Sequence, residues 1–371
     1  MGIFAWLALV SALSAATLSN PRRVGTDFEF SVTGASNAIY AVQASSDLTN
    51  WTTLATNRQF GEVRTISMPA SAPEEFYRVR SVQPLFTGAF GVRESIEFAG
   101  SGATVVSFDS HDPRYFQPDG TRDRSRFSDR GDITTSSALT NSLDLGNSKV
   151  FGVVRAPRDG LVVLGPGGSV GSILWHLNGW RGIEPGHYVE DTNRVFVDAE
   201  LPQDHVYVTP GPGSVDGTNY TYVLSNGHYT LPELRMGSSN RVMLVTGRAT
   251  LCVSDFFTLL PPAKIVIVRD ASLDVYVGAG SATIGLSSVE DNNLRAAFTY
   301  YGLPGNTQVY VRGDGFGTGT IYAPAAAVSI GGGGFDEADI SGAIVGRRIS
   351  VSGKLNMHYD EALRIAGPAL W

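Results

Sequence analysis

Apolar and polar residues alternate along most of this chain, in short runs cut by glycine and proline. A period of two sends successive side chains to opposite faces, which is the pattern of a half-buried β-strand. Phe28-Glu29-Phe30-Ser31-Val32 alternates in this way and stops at Thr33-Gly34. Ile39 to Ala44 repeats the pattern and puts Tyr40 and Val42 on one face. Phe76-Tyr77-Arg78-Val79-Arg80 closes this first group. Several short strands separated by turn residues predict a small β-sandwich over residues 18–83. Strands return further on, at Leu143-Asp144-Leu145, Val150 to Val154 and Leu161 to Leu164, with Gly165-Pro166-Gly167-Gly168 as punctuation. Val242 to Val245 precedes Ala249 to Val253, and Ile265 to Val268 precedes Ala271 to Val275. Thr192 to Leu234 is less regular and is expected to decorate the strands around it.

The later strands repeat. Gly319-Thr320-Ile321 to Val328-Ser329 aligns with Gly342-Ala343-Ile344 to Val351-Ser352 at a constant spacing of 23 residues. Val242 to Ile265 is again 23, and Leu251 to Leu273 is 22. One strand-rich turn of this length cannot bury its own apolar row, but stacked neighbours can. Residues 84–371 are therefore expected to form a right-handed parallel β-helix, a solenoid, behind the small sandwich. The competing expectation is an ordinary sandwich whose periodicity is accidental.

Composition narrows the picture. Of 371 residues, 43 are glycine and 18 proline, and only 17% are charged, which suits turn-rich all-β structure better than helices. The net charge of −7, with no long basic stripe, argues against nucleic acid as a partner. Cys252 is the only cysteine, so no intramolecular disulfide forms. Residues 1–17 read as an export signal: Ile3 to Ala16 is apolar, and Ser14-Ala15-Ala16 supplies small residues for cleavage, although no Lys or Arg precedes the run. No other run approaches the length of a membrane span, so no transmembrane segment is expected beyond the signal.

Two resemblances follow from these residues. Tyr40-x-Val42-Gln43-x-Ser45-Ser46-Asp47-Leu48-x-Asn50-Trp51, then Phe76-Tyr77-Arg78-Val79, resembles a short sandwich module that recurs in exported bacterial proteins. That resemblance implies an accessory or spacing role. Trp51 and Tyr77 could stack on a sugar, but both suit a buried corner better. The rest of the chain carries Val106-Ser107-Phe108-Asp109-Ser110, Gly131-Asp132-Ile133-Thr134-Thr135, Leu145 to Gly152, Gly186-His187-x-x-Glu190-Asp191-x-Asn193, Tyr300 to Pro304, Gly319 to Pro324 and His358-Tyr359-Asp360-Glu361-x-Leu363. In that order these resemble an exported bacterial family of unknown function, predicted to be β-helical and similar to pilus-assembly accessory proteins. The resemblance implies no active site. Pro324-Ala325-Ala326 departs from it where a polar Asn is expected, which weighs against an asparagine ladder at that corner.

Candidate chemistry is sparse. Asp109, Asp112, Asp119, Asp123, Asp129 and Asp132 share a polar stretch with Arg114, Arg122, Arg124, Arg126 and Arg130. An enzyme acting on polysaccharide would draw its acid and base from Asp109, Asp112 and Asp132, because glycosidic cleavage uses paired carboxylates. The interleaved arginines favour a salt-linked loop instead. Gly331-Gly332-x-Gly334-x-Asp336-x-Ala338 matches a calcium nonapeptide, with Asp339 just beyond it. That motif needs tandem copies and only one is present, so Asp336 and Asp339 are weak Ca²⁺ candidates and no cofactor is expected. Gly167-Gly168-Ser169-Val170-Gly171 fits a nucleophile-elbow pattern but lacks an evident following helix. His358, Tyr359, Asp360 and Glu361 read as a structural cap at the end of the stack.

These features point to a non-catalytic exported or cell-surface protein with a structural or adhesive role. Its partners would be polysaccharide or cell-envelope components. A polysaccharide lyase or hydrolase is the alternative, and a pilus-associated accessory role rests on resemblance alone.

Overall fold

The alternating runs become strands, and in the computed structural model the chain is nearly all β, with 56% strand and 5% helix. The structure describes residues 17–25, 27–33, 39–46, 52–58, 64–69, 76–82, 84–99, 102–119, 121–190, 194–203, 205–237, 241–291, 297–312, 315–331 and 337–364. It falls into two compact units: residues 1–85 with 363–371, and residues 86–362.

Unit 1 holds two three-stranded antiparallel sheets. Strands β1 (Thr17–Val24), β2 (Asp27–Thr33) and β5 (Arg64–Pro69) form one, in the order β1-β2-β5. Strands β3 (Ile39–Ser45), β4 (Thr52–Arg58) and β6 (Phe76–Val82) form the other, in the order β4-β3-β6. Phe30 is buried and its ring lies 5.7 Å from that of Tyr77, so Tyr77 serves the core. Trp51 lies outside the described residues.

Unit 2 begins with β7 (Phe90–Phe98) and β8 (Ala103–Phe108). A polar loop, residues 109–130, leads to β9 (Ile133–Thr135), β10 (Leu143–Gly146), β11 (Lys149–Phe151), β12 (Val154–Arg155), β13 (Val162–Leu164) and β14 (Ser169–Gly171). Ser172 then caps a five-residue helix, α1 (Ile173–Leu177), by accepting from Trp175 N. The glycines around Ser169 hid this helix in the sequence. Ser169 itself is buried within β14, away from any exposed elbow. Strands β15 (Gly182–Ile183) and β16 (Tyr188–Val189) complete this first half.

The second half starts at β17 (Tyr207–Val208) and a hairpin of β18 (Gly213–Val215) and β19 (Thr218–Tyr220). It continues through β20 (Tyr222–Leu224), β21 (Gly227–Met236), β22 (Val242–Val245), β23 (Arg248–Leu259), β24 (Lys264–Ile267), β25 (Ser272–Val277), β26 (Ser281–Ile284) and β27 (Val289–Asp291). The last strands are β28 (Phe298–Gly302), β29 (Gln308–Val311), β30 (Gly315–Ile330), β31 (Glu337–Val351) and β32 (Lys354–Asp360). Within the expected decoration over 192–234, residues 194–203 and the β18–β19 hairpin lie outside the parallel pairings, whereas β17, β20 and β21 carry them.

Apart from that hairpin and two isolated bridges of the polar loop, the strand pairings among the described residues of unit 2 are parallel and line up in three columns. The first column reads β17, β21, β23, β25, β28, β30, β31, β7, β9, β12, β16. The second takes the later parts of β21 and β23, then β26, β29, the ends of β30, β31 and β7, then β10 and β13. The third comprises β20, β22, β24 and β27, and further along the starts of β30 and β31, then β32, β8, β11, β14 and β15. Strands β23, β25, β28, β30, β29 and β26 close a six-membered ring of parallel pairings. The ring closes because β23 and β30 each bend through two columns. Inward rows such as Leu251-Val275-Tyr300-Ile321-Ile344-Phe90 are buried, and each such apolar side chain contributes about 1.5–3 kcal/mol.

The order of the columns has a consequence that no local pattern announces. The chain enters mid-stack at β7, climbs to one end at β16, crosses to the other end at β17, and winds back to β31 and β32. There β31 pairs with β7, and β32 pairs with β8. Tyr359 Oη donates to Phe86 O at 3.0 Å, so the last strand hands over to the first. The expected cap at 358–361 is corrected accordingly: β32 is paired on both sides, by β31 and β8, and ends no stack.

Residues 194–203 run along the outer face of the first column as a strap. Phe196, Ala199 and Pro202 are its buried positions, one in three, a spacing that suits an extended three-fold backbone. Phe196 sits on Gly91, where a Cβ would lie 2.7 Å from its ring. Arg93 Nε donates to Phe196 O at 2.8 Å, Arg93 pairs with Asp198 at 2.7 Å, and Tyr322 Oη donates to Val197 O at 2.8 Å.

Candidate functional site

The polar loop after β8 folds over the third column, where β31, β32 and β8 lie side by side. Its aspartates first organise the loop. Asp109 accepts from His111 N, Asp119 from Thr121 N and Oγ1, and Asp123 from Ser125 N and Oγ. Asp112 caps a short 3-10 turn (Pro113–Tyr115) and binds the Arg114 guanidinium, which holds its carboxyl below the usual carboxylate range. Two loop arginines then reach inward. Arg122 donates to Ser341 Oγ and to His358 Nδ1, each at 2.9 Å, with its guanidinium 3.7 Å from the centre of the Phe108 ring. Arg124 donates to Asp339 Oδ2 at 2.9 Å and lies over Phe316.

A guanidinium has no acceptor, so His358 Nδ1 must accept and Nε2 must carry the proton. That Nε2 lies 3.2 Å from Asp339 Oδ1. Burial lowers the His358 pKa, Arg122 lowers it further, and Asp339 opposes both. Burial pushes the Asp339 carboxyl up, but His358, Arg124 and Arg122 outweigh it and the net shift is downward. Burial also brings Arg122 down to about 10. At the end of β32, Asp360 accepts from Ser110 N and Ala362 N, each at 3.0 Å, and its burial raises its pKa. Glu361 accepts from Ser107 Oγ at 2.9 Å and pairs with Arg130 at 3.2 Å. The network joins the early loop to the late strands and clasps the place where they meet.

The carboxylates singled out in the sequence are dispersed among these duties. Asp109 serves His111 and Asp112 serves Arg114. Asp132 lies just before β9, where it accepts from Val153 N at 2.9 Å and faces Arg155 at 3.8 Å. Asp336 lies outside the described residues. Asp339 is held by Arg124 and His358, and a cation beside it would meet the Arg124 and Arg122 guanidiniums. Among the described residues no three His, Cys, Asp or Glu side chains gather as metal ligands.

A second polar row was not foreseen. Asp274, Thr299 and Thr320 are register partners on the outer face of the first column, and Thr320 Oγ1 donates to Thr299 Oγ1 at 3.1 Å. Beside them Tyr276 and Tyr301 stack with ring centres 4.6 Å apart, and Tyr322 continues the row. Burial raises the Asp274 carboxyl to about 6, although Thr299 opposes the shift by hydrogen bonding. A lone Asp in Leu273-Asp274-Val275 gave only one signal, a charge at a strand position beside a tyrosine.

Comparison with known proteins adds one observation. Residues 193–365 match a family described as a domain of unknown function (DUF7305). The match starts at the strap and ends just after the clasp, so it takes in β17 to β32 and leaves β7 to β16 outside. No curated protein and no solved structure matches the chain. No helix among the described residues is long and apolar enough to cross a membrane.

Proposed function

We propose that unit 2 is a right-handed parallel β-helix acting as a non-catalytic structural or adhesive element of an exported, cell-surface protein. Three columns of parallel strands, punctuated by glycine corners, support the helical reading. The observation that carries the non-catalytic reading is the commitment of Asp109, Asp112, Asp132, Asp339 and Asp360 to partners inside the protein. Hydrogen bonds and ion pairs to a carboxylate favour its charged form and so weaken it as a base toward a substrate proton. The partners in this reading are polysaccharide or other cell-envelope components. Fractionation of the producing cell, followed by binding and cleavage assays on polysaccharide panels, tests it. Envelope localisation with binding but no cleavage is expected; release of oligosaccharide that Asp109→Ala abolishes would overturn it.

One observation favours a second reading, an enzyme acting on polysaccharide. Asp274 has its carboxyl raised to about 6 beside a row of hydroxyls and tyrosines, as a general acid requires. In that case cleavage is lost in Asp274→Asn and kept in Asp109→Ala.

A further inference from the structure

The contact between β31/β32 and β7/β8 is a joint between two stretches of chain that are far apart in sequence. Its backbone pairings join Ile344 to Val351 with Phe90 to Phe98, and Leu355 to Asp360 with Ala103 to Phe108. Its side chains are complementary in charge. The first half supplies Arg122, Arg124 and Arg130 against Asp339 and Glu361, and Glu94 against Arg347 and Arg348 from the second. Every one of these contacts spans more than 200 residues, from 215 for Arg124–Asp339 to 254 for Arg348–Glu94. Within unit 2 the halves are tied covalently only through the segment between Val189 and Tyr207.

That segment has little slack. It spans ten strand spacings of the first column, about 48 Å at ~4.8 Å each. Its 18 residue steps extend to about 60 Å at ~3.3 Å each. The two surfaces of the joint are the same on every copy, and nothing in them distinguishes a partner half of the same chain from that of another.

We infer that this joint is an assembly surface: the β7/β8 edge of one molecule seats on the β31/β32 edge of a second copy of this chain. Closure within one molecule is favoured when dilute, because the tether gives an effective concentration on the order of millimolar. Closure between molecules takes over when the protein is concentrated or when the strap is too short to span the stack.

Register partners Ser350 and Glu97 are both exposed and test this directly. In a Cys252→Ser background, one full-length chain carries Ser350→Cys and another carries Glu97→Cys. The two are unfolded together, refolded at high concentration and oxidised. A chain carrying both substitutions shows that the positions cross-link within one molecule. Ser329→Cys, whose position pairs with Ser350 and so lies one layer further from Glu97, is the out-of-register control. The same pair is also made with Asp198 to Gln203 deleted, which leaves 12 steps, about 40 Å at full extension.

Disulfide-linked dimers of the two variants are expected, absent from the Ser329→Cys mixture, and about tenfold more abundant with the short strap. Where refolding fails, coexpression of the two chains in one cell gives the same readout. Only monomers with free thiols, at both strap lengths and by both routes, would overturn the inference, as would equal cross-linking of the out-of-register pair.

Discussion

Arg122 stands between a serine, a histidine and an aromatic ring, and its loss strands all three at once. Arg122→Ala is expected to lower stability by about 2–3 kcal/mol, read from the denaturant midpoint, because His358 and Asp339 lose the cation that organises them. Arg114→Ala removes an exposed pair and should leave the midpoint unchanged. Asp274 makes a prediction in pH. Its carboxyl rises from an ordinary 3.8 to about 6 on folding, so between those values the folded state holds a proton that the unfolded state has released. Its contribution is therefore most favourable at and below pH 4, falls as pH rises to 6, and is flat above. His358 runs the other way: its lowered pKa keeps it neutral when folded, and stability is lost as pH drops below its ordinary 6.5. Subtracting the stability of Asp274→Asn from that of the native protein across pH 3–8 isolates the aspartate, and a difference that rises between pH 4 and 6 would refute this assignment.

Strand corners set which glycines the stack cannot lose. Gly342 has φ +149°, and a Cβ there would lie 1.9 Å from the Gly319 carbonyl oxygen of the neighbouring strand. Gly342→Ala should cost on the order of 3 kcal/mol, visible as a lower melting temperature with part of the β31 amide protection lost in hydrogen exchange. On the strap, Phe196→Ala empties the site above Gly91 and is expected to cost about 3 kcal/mol. Elements of this kind were partly readable in advance. The 23-residue spacing holds from Gly319 to Gly342 and from Ile321 to Ile344, but Val328 pairs with Ile349, a spacing of 21. Met243 pairs with Ile265 at 22 and Leu251 with Val275 at 24. Corners absorb residues while strands keep their alternation, so a period read from sequence is an average over turns of unequal length. The clasp was half readable: Asp112–Arg114 and Asp123–Arg126 are close in sequence, whereas Arg122 finds His358 only because the stack brings them together.

At the scale of the molecule, the order of layers is what the chain does not advertise. Consecutive strands stack and leave a period, but β31 on β7 is a pairing of distant segments that leaves none. Cutting the strap at Gln203 in the folded protein is expected to leave one particle by gel filtration, because the joint keeps its backbone pairings and its ion pairs. Its unfolding midpoint should then depend on protein concentration in the dilute range, where the uncut chain closes on itself and shows no such dependence.

The handover from β32 to β7 also governs when this protein can fold during its synthesis. Val105 pairs with Met357, which the ribosome adds 252 residues later. At roughly 5–20 residues per second the open edge of β8 waits about 13–50 s for its partner. Throughout that interval the nascent chain displays unpaired strand edges beside a loop of balanced charge, so crowded ribosomes on one message hold β7/β8 edges from several chains side by side. Late completion makes the codons for β31 and β32 decisive: a chain released before they are read has every layer of its first half and nothing to close it against.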